Sequence, residues 1–287
     1  MTVIIDKHAD DFGLTTATSN VIFDLCQDNK LDSISLMVNM SCFDEALDKL
    51  RIISKSKNIS IHLNLLEGKA VSNKKDIQWL VDGDSKFKRS WFDFFILNFS
   101  PNRNAIKKEI KHELKNQLLK GINALDTKNI RIDSHQHLHM IPIVFKALVE
   151  VVNENELKLS YIRVSKEPIL PYLKQPKLYK TYSVVNIVKN LILNLFSFYV
   201  EKHCNQLNLE KMYIWGLIMS GKMDYERIEI LKNEFYKYSL KKERKIEMIF
   251  HPGSSQNNEL ETELNEEDRG FYLSKNRDIE RETLYKL

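Results

Sequence analysis

Short apolar runs rich in β-branched residues alternate along this chain with segments whose apolar positions recur every three or four residues. The first kind predicts strands: TVIID (2–6), SISLMV (33–38), ISIHLNLL (59–66), NIRIDS (129–134), YIRVS (161–165), YIWGLI (213–218) and IEMIF (246–250). Several are apolar at consecutive positions, as strands covered on both faces must be. The second kind predicts helices at about 17–28, 43–55, 105–125, 141–153, 183–203 and 224–240. Asp224 stands where an N-cap belongs, and Pro142 where a first-turn proline is tolerated. Strand followed by helix, about seven times over, predicts parallel strands with right-handed crossovers, in either an open doubly wound sheet or a closed, irregular barrel.

Two segments, about 67–104 and 166–182, carry no clear period. WLVDGDSKFKRSWFDFF reads as an insertion whose aromatic residues must be buried somewhere, and long loops of this kind often line clefts. No repeat or low-complexity linker marks a boundary, so one domain over 1–287 is expected, with insertion-like segments at about 67–104 and 166–210. The run SVVNIVKNLILNLFSFYV (183–200) approaches the length of a membrane span, but Lys189 and three asparagines interrupt it. Val184, Val185, Ile187, Val188, Leu191, Ile192, Leu195 and Phe196 recur at helical spacing, which predicts a helix buried in the core or facing a partner, with membrane-surface contact as the second reading and no transmembrane segment. A homodimer through this helix is among the partner-facing readings.

Composition narrows the class. The 43 basic and 39 acidic residues are dispersed, and KKEIKHELK (107–115) and KKERK (241–245) read as solvated helix faces or ends, so nucleic acid is not an expected partner. The acidic stretch ELETELNEED (259–268) reads as a solvated loop or helix start. Cys26, Cys42 and Cys204 are odd in number and far apart, which argues against a disulfide framework and a cysteine-rich zinc site and fits a reducing compartment. Asp6, Lys7 and Asp10 break the first apolar run almost at once, unlike a signal peptide, so a cytoplasmic location is expected.

The polar residues least expected in buried strands collect at the strands' C-terminal ends. Asp10 and Asp11 follow the first strand, His62 lies in the third, Asp133 and His135 end the fourth, Arg163 lies in the fifth and His251 ends the last. In parallel α/β folds those ends share one face, where ligands bind. Taken singly, His62 reads more readily as a hydrogen-bonded core histidine than as a ligand, HPG (251–253) reads equally as a turn, and Asp10-Asp11 as a loop before a helix capped by Thr15 or Thr16. In SHQHLH, histidines at alternating positions would project to one side of an extended segment. Together, one carboxylate and two imidazoles form a ligand set that leaves positions open for water and substrate, and a second carboxylate beside it is placed to act as base.

HADDFGLT, IHLNLLEG (61–68), IDSHQHLHMIP (132–142), YIRVS, WGLIMSGKM (215–223) and HPG, in this order over nearly the whole chain, resemble the YdjC-like carbohydrate deacetylases. The resemblance implies an irregular (β/α) barrel resembling a TIM barrel, and metal-dependent removal of an acetyl group from an N-acetylated sugar. It implies one divalent ion, zinc or magnesium, held by Asp11, His62 and His135, with Asp10 as catalytic base. His251 matches the family's late histidine, for which general acid is the role expected here; Arg163 resembles the arginine that orients the catalytic aspartate in the related NodB-type deacetylases. His137 and His139 are expected behind the ligands or facing substrate. The chain departs from the pattern at His8, where a small polar residue is expected. Asp-His-His sites also serve other hydrolyses such as that of phosphoesters, and a sugar-binding barrel without turnover is a further alternative.

Overall fold

The computed structural model describes residues 3–127, 129–260 and 266–287; residue 2 of the first expected strand and the middle of the acidic stretch lie outside them. The chain runs β1 (Ile5–Phe12), α1 (Thr16–Gln27), β2 (Ser33–Leu36), α2 (Phe43–Ile53), β3 (Asn58–Leu63), α3 (Trp91–Leu97), α4 (Arg103–Leu125), β4 (Asn129–Ser134), α5 (Pro142–Glu154) and β5 (Lys158–Ile162). It continues through α6 (Leu170–Leu173), α7 (Val184–Gln206), β6 (Tyr213–Trp215), α8 (Tyr225–Lys242), β7 (Ile246–Phe250), α9 (Asn257–Leu260), α10 (Glu266–Tyr272) and α11 (Asn276–Lys286). All seven strands are parallel, in the order β5-β4-β3-β2-β1-β7-β6. Each expected strand is present; the helices on the outer face and the side chains within bury both sides of the central strands, which is why those strands read as unbroken apolar runs.

The sheet is curled. Tyr161 on β5 donates its hydroxyl to Glu247 on β7 at 2.9 Å, although four strands lie between them in the sheet. A flat sheet with strands roughly 4.8 Å apart would hold those two far out of reach. One backbone bond, from Ile214 N–H to the Lys166 carbonyl at 3.0 Å, links the chain beyond β5 to β6, with no ladder between the two edge strands. The result is a curled, incompletely closed barrel, the irregular (β/α) barrel that the family resemblance implied and one of the two forms the strand–helix order allowed.

Local signals hold where they were specific. Thr15 caps α1 by accepting the N–H of Thr18, and Asp224 caps α8 by accepting that of Arg227. The aromatic insertion contains α3, which opens on a Ser90–Asp93 capping box and buries Trp91 and Phe94. Buried Glu113 on α4 accepts the N–H groups of Val71 and Ser72, tying this insertion to the barrel.

α7 does not bury its apolar face in the core, one of the readings its spacing allowed. Asn190, Leu193, Ser197, Val200 and Cys204 face inward, whereas Val184, Val185, Val188, Leu191 and Leu195 are exposed. The reason is polar: Glu167 is buried, and Asn190 and Asn194 donate to its carboxylate and carbonyl, turning the asparagine side of the helix to the body. By length and composition α7 is also apolar enough to cross a membrane.

Candidate functional site

The two aspartates lie inside β1, not beyond it. Register against β2 shifts between Ala9 and Phe12, and Asp11 takes a left-handed φ of 71°. This bulge turns adjacent carboxylates to different partners, where a regular strand would send them to opposite faces of the sheet. Both are buried.

Asp11 meets two imidazoles. His135 Nδ1 stands 3.2 Å from its Oδ1 and His62 Nε2 3.8 Å. The three donor atoms lie within 4.8 Å of one another, close enough for a single ion with bonds of about 2.0–2.2 Å to reach all three. Asp11 Oδ1 and His62 Nε2 are buried without a hydrogen-bond partner, an arrangement costly unless something else satisfies them. The donor set and its orphaned atoms therefore fit a divalent cation.

Each ligand atom is aimed from behind. His62 Nδ1 is 2.7 Å from Asp133 Oδ1, and His135 Nε2 is 3.0 Å from the Tyr272 hydroxyl. Arg277 on α11 reaches Asp11 Oδ2 at 3.2 and 3.3 Å, leaving Oδ1 to the imidazoles. Such outer contacts fix tautomer and ring orientation. Burial disfavours charge on Asp11, but His135, 3.2 Å from its Oδ1, and the charge of Arg277 outweigh it and hold the carboxyl below its ordinary range. His62 is shifted up: burial opposes the charged ring, and Asp133 and Asp10 favour it more strongly.

Asp10 belongs to a second buried group. Arg163 donates to both its oxygens at 3.0 Å, and the same guanidinium reaches Glu247 at 2.9 Å and Asp133 at 3.1 Å. Burial alone would push Asp10 up; Arg163, followed by His62 and His8, holds it well below the carboxylate range. His8, Asp10 and Asp133 are also close enough to suggest a cation site. Arg163 already supplies the cation there, so a second metal is not needed to balance them.

His8 is accounted for by these contacts. Its Nδ1 and Nε2 are each 2.6 Å from the hydroxyls of Ser33 and Ser35, and Nε2 is 3.2 Å from Asp10. Ser35 also donates to Asp133. His251 places Nε2 4.0 Å from Asp10 Oδ2, at the edge of the same site. Burial pushes its imidazole down to about 4, Asp11 and Asp10 opposing, so the ring is neutral at neutral pH.

The sequence grouping of Asp10, Asp11, His62, Asp133, His135, Arg163 and His251 on one face matches their placement here. The alternation expected for SHQHLH does not: His135–Met140 forms a tight 3-10 turn, with Gln136 and His137 at left-handed φ of 51° and 59°. His139 is thereby drawn into the body, with Nδ1 2.6 Å from Ser134 Oγ and Nε2 2.8 Å from the Arg163 carbonyl. His137 packs against Ser165 but still faces the cleft. Sequence reasoning gave no part to Glu247, Tyr272, Arg277 or Glu280. A glutamate inside IEMIF was a usable signal, since a buried strand rarely carries an unpaired charge; the three from the C-terminal helices had none.

A cleft of about 250 Å³ opens beside these residues, lined by Asp10, His135 and His251 on one side, Val185, Asn186 and Lys189 of α7 on another, and Phe271 and Tyr272 of α10. Burial pushes the Lys189 ammonium down to about 8, with Asp268 opposing.

Comparison with known proteins places the chain among its relatives. A carbohydrate deacetylase from Brevibacillus brevis is 31% identical over 154 residues, 54% of this chain and 57% of that protein, so the match spans little more than half of the relative. A carbohydrate deacetylase from Clostridium beijerinckii is 26% identical over 251 residues, 84% of this chain and 96% of that protein. Among solved structures, the Enterococcus faecalis protein described as a "putative cellobiose-phosphate cleavage protein" superimposes with a TM-score of 0.64 over 99% of this chain and 91% of that one, at 15% identity, a likeness of fold. The family described as YdjC-like protein matches residues 3–286, which take in every strand and every residue of the site from Asp10 to Glu280. The chain therefore belongs to the YdjC-like family.

Proposed function

We propose that this protein is a metal-dependent carbohydrate deacetylase that hydrolyses the N-acetyl group of an amino sugar or oligosaccharide, releasing acetate and the free amine. The observation that carries the reading is the divided aspartate pair: Asp11 turned to two oriented imidazoles, Asp10 to an arginine and to the cleft. The curated relatives named carbohydrate deacetylase support the substrate class.

Asp11, His62 and His135 would hold the ion, zinc or magnesium, which when bound supplies Lewis acidity toward the acetyl carbonyl and lowers the pKa of water. Hydrolysis needs water to add to the carbonyl carbon and the C–N bond to break, with one proton moved from the water to the nitrogen. Asp10, kept ionised by Arg163, accepts the water's proton. His251 is neutral beforehand, so the proton it delivers to the departing amine is one it acquires during the reaction, and Asp10 Oδ2 at 4.0 Å is the neighbour placed to pass it. Arg163 acts as a positioning residue: its two bonds fix the Asp10 carboxylate in one plane. A phosphoester substrate would call for cations facing the reacting group; Arg163 is already engaged by three carboxylates.

The test is acetate release from N-acetylated sugars, with metal content measured in parallel. Asp10→Asn should keep its metal and lose about 10²–10⁴ in turnover, the usual worth of a positioned base. His62→Ala and His135→Ala should lose the metal itself. Near-normal release by Asp10→Asn removes the base assignment, and full metal occupancy in both histidine variants removes the ligand set.

A further inference from the structure

α7 turns Asn190 and Ser197 to the body together with Leu193, Val200 and Cys204, and leaves a broad apolar side outside. Val184, Leu195 and Phe198 are 74, 67 and 66% exposed. The same surface continues onto α3 and the turn after it, where Phe92, Ile96 and Phe99 are exposed and the half-buried rings of Phe95 and Phe196 meet at 6.2 Å between the helices. Two helices thus share one unpartnered apolar face, larger than isolated surface residues account for.

The two segments that carry this face are rich in cations, although Lys174 pairs with Glu234 and Glu201 stands near the end of α7. Residues 168–200 contain four lysines and no carboxylate, and residues 85–108 contain Lys86, Lys88, Arg89, Arg103, Lys107 and Lys108 against Asp93 alone. Just beyond Phe99, Arg103, Lys107 and Lys146 converge on a groove of about 200 Å³ with no carboxylate in its lining, although Lys107 also pairs with Glu150. An apolar helix face with basic flanks is the pattern of a segment lying in the plane of an anionic bilayer surface. A second copy fits less well. A two-fold interface sets each patch against itself, so the basic flanks would repel.

We propose that the exposed face of α3 and α7 docks on an anionic lipid bilayer, with α7 lying along the surface. Crossing the bilayer would break the bonds from Asn190 and Asn194 to Glu167, which anchor α7 to the barrel. Val185, Asn186 and Lys189 of the same helix line the cleft, so docking brings the cleft mouth to the lipid surface. If the deacetylase reading holds, the sugar it takes at that surface is one carried on a lipid; the docking itself does not depend on that reading.

Co-sedimentation with vesicles tests the docking on the whole protein. Phosphatidylcholine vesicles containing roughly one third phosphatidylglycerol should bind the protein at least about tenfold more tightly than phosphatidylcholine alone, and salt should weaken the binding. Leu195→Glu combined with Phe99→Glu should abolish it while leaving acetate release from a soluble N-acetylated oligosaccharide within about twofold, since neither residue lines the cleft. Protein that stays in the supernatant with both vesicle types overturns the proposal, as does a dimer in solution that the double variant converts to monomer. Absence of acetate release with vesicle binding intact would count against the deacetylase reading alone.

Discussion

Glu280 ties the C-terminal helix to the site, and its ionisation gives a quantitative test. Its buried carboxylate accepts the N–H of His251 at 2.6 Å and that of Met223 at 3.1 Å. Burial raises its pKa from 4.5 to about 7, those two bonds and Arg277 opposing. Between these values the folded chain keeps a proton that the unfolded chain has released. The stability linked to Glu280 is therefore fully present below about pH 4.5, is lost as pH rises through about 7, and is level beyond. At about 1.4 kcal/mol for each pH unit, the interval is worth about 3 kcal/mol. Glu280→Gln does not titrate, so subtracting its stability from that of the parent chain cancels the other groups. The glutamine also loses one acceptor, a pH-independent cost of about 1–3 kcal/mol that moves the height of the difference curve but not its slope. Urea unfolding at intervals from about pH 4 to 8 should show the parent chain losing about 3 kcal/mol relative to the variant. Two curves parallel to within about 0.5 kcal/mol, the scatter of an ordinary surface substitution, would refute a proton held at Glu280.

Three further outcomes are expected. Asp133→Asn, which removes the carboxylate behind His62, should weaken metal affinity about 10–100-fold in a competition titration without unfolding the protein; unchanged affinity would mean His62 is held by packing alone. Arg163→Leu leaves Asp10, Asp133 and Glu247 buried without their shared cation and should cost about 3–5 kcal/mol in denaturant unfolding at neutral pH, with part recovered on acidification as the carboxyls protonate. Gly216, in the cleft wall, has φ 139°, and a Cβ there would stand 2.5 Å from the Ile249 carbonyl oxygen, so Gly216→Ala should lower the thermal midpoint by several degrees or more; an unchanged midpoint would show that the wall yields freely.

The strands were legible because they are buried on both faces, leaving unbroken apolar runs that few other structures produce, and the parallel order followed from the helices between them. The same logic pointed to the candidate site: a charged or imidazole side chain at the end of such a run has little structural reason to be there, and Asp10, Asp11, His62, His135, Arg163 and His251 do converge. What the sequence left undecided is set by groups far apart along the chain. Which aspartate turns to the imidazoles depends on a bulge and a left-handed residue inside β1. The partners that fix each charge, Arg277 for Asp11 and Glu247 and Asp133 for Arg163, meet only once the sheet has curled. The histidine run could not be read by alternation, because its backbone is a tight turn set by Ser134 and Arg163. For α7, periodicity established a helix with one apolar face but not the direction of that face. Buried Glu167, more than 20 residues away in sequence from Asn190, decided that the asparagines would turn inward and the apolar face outward.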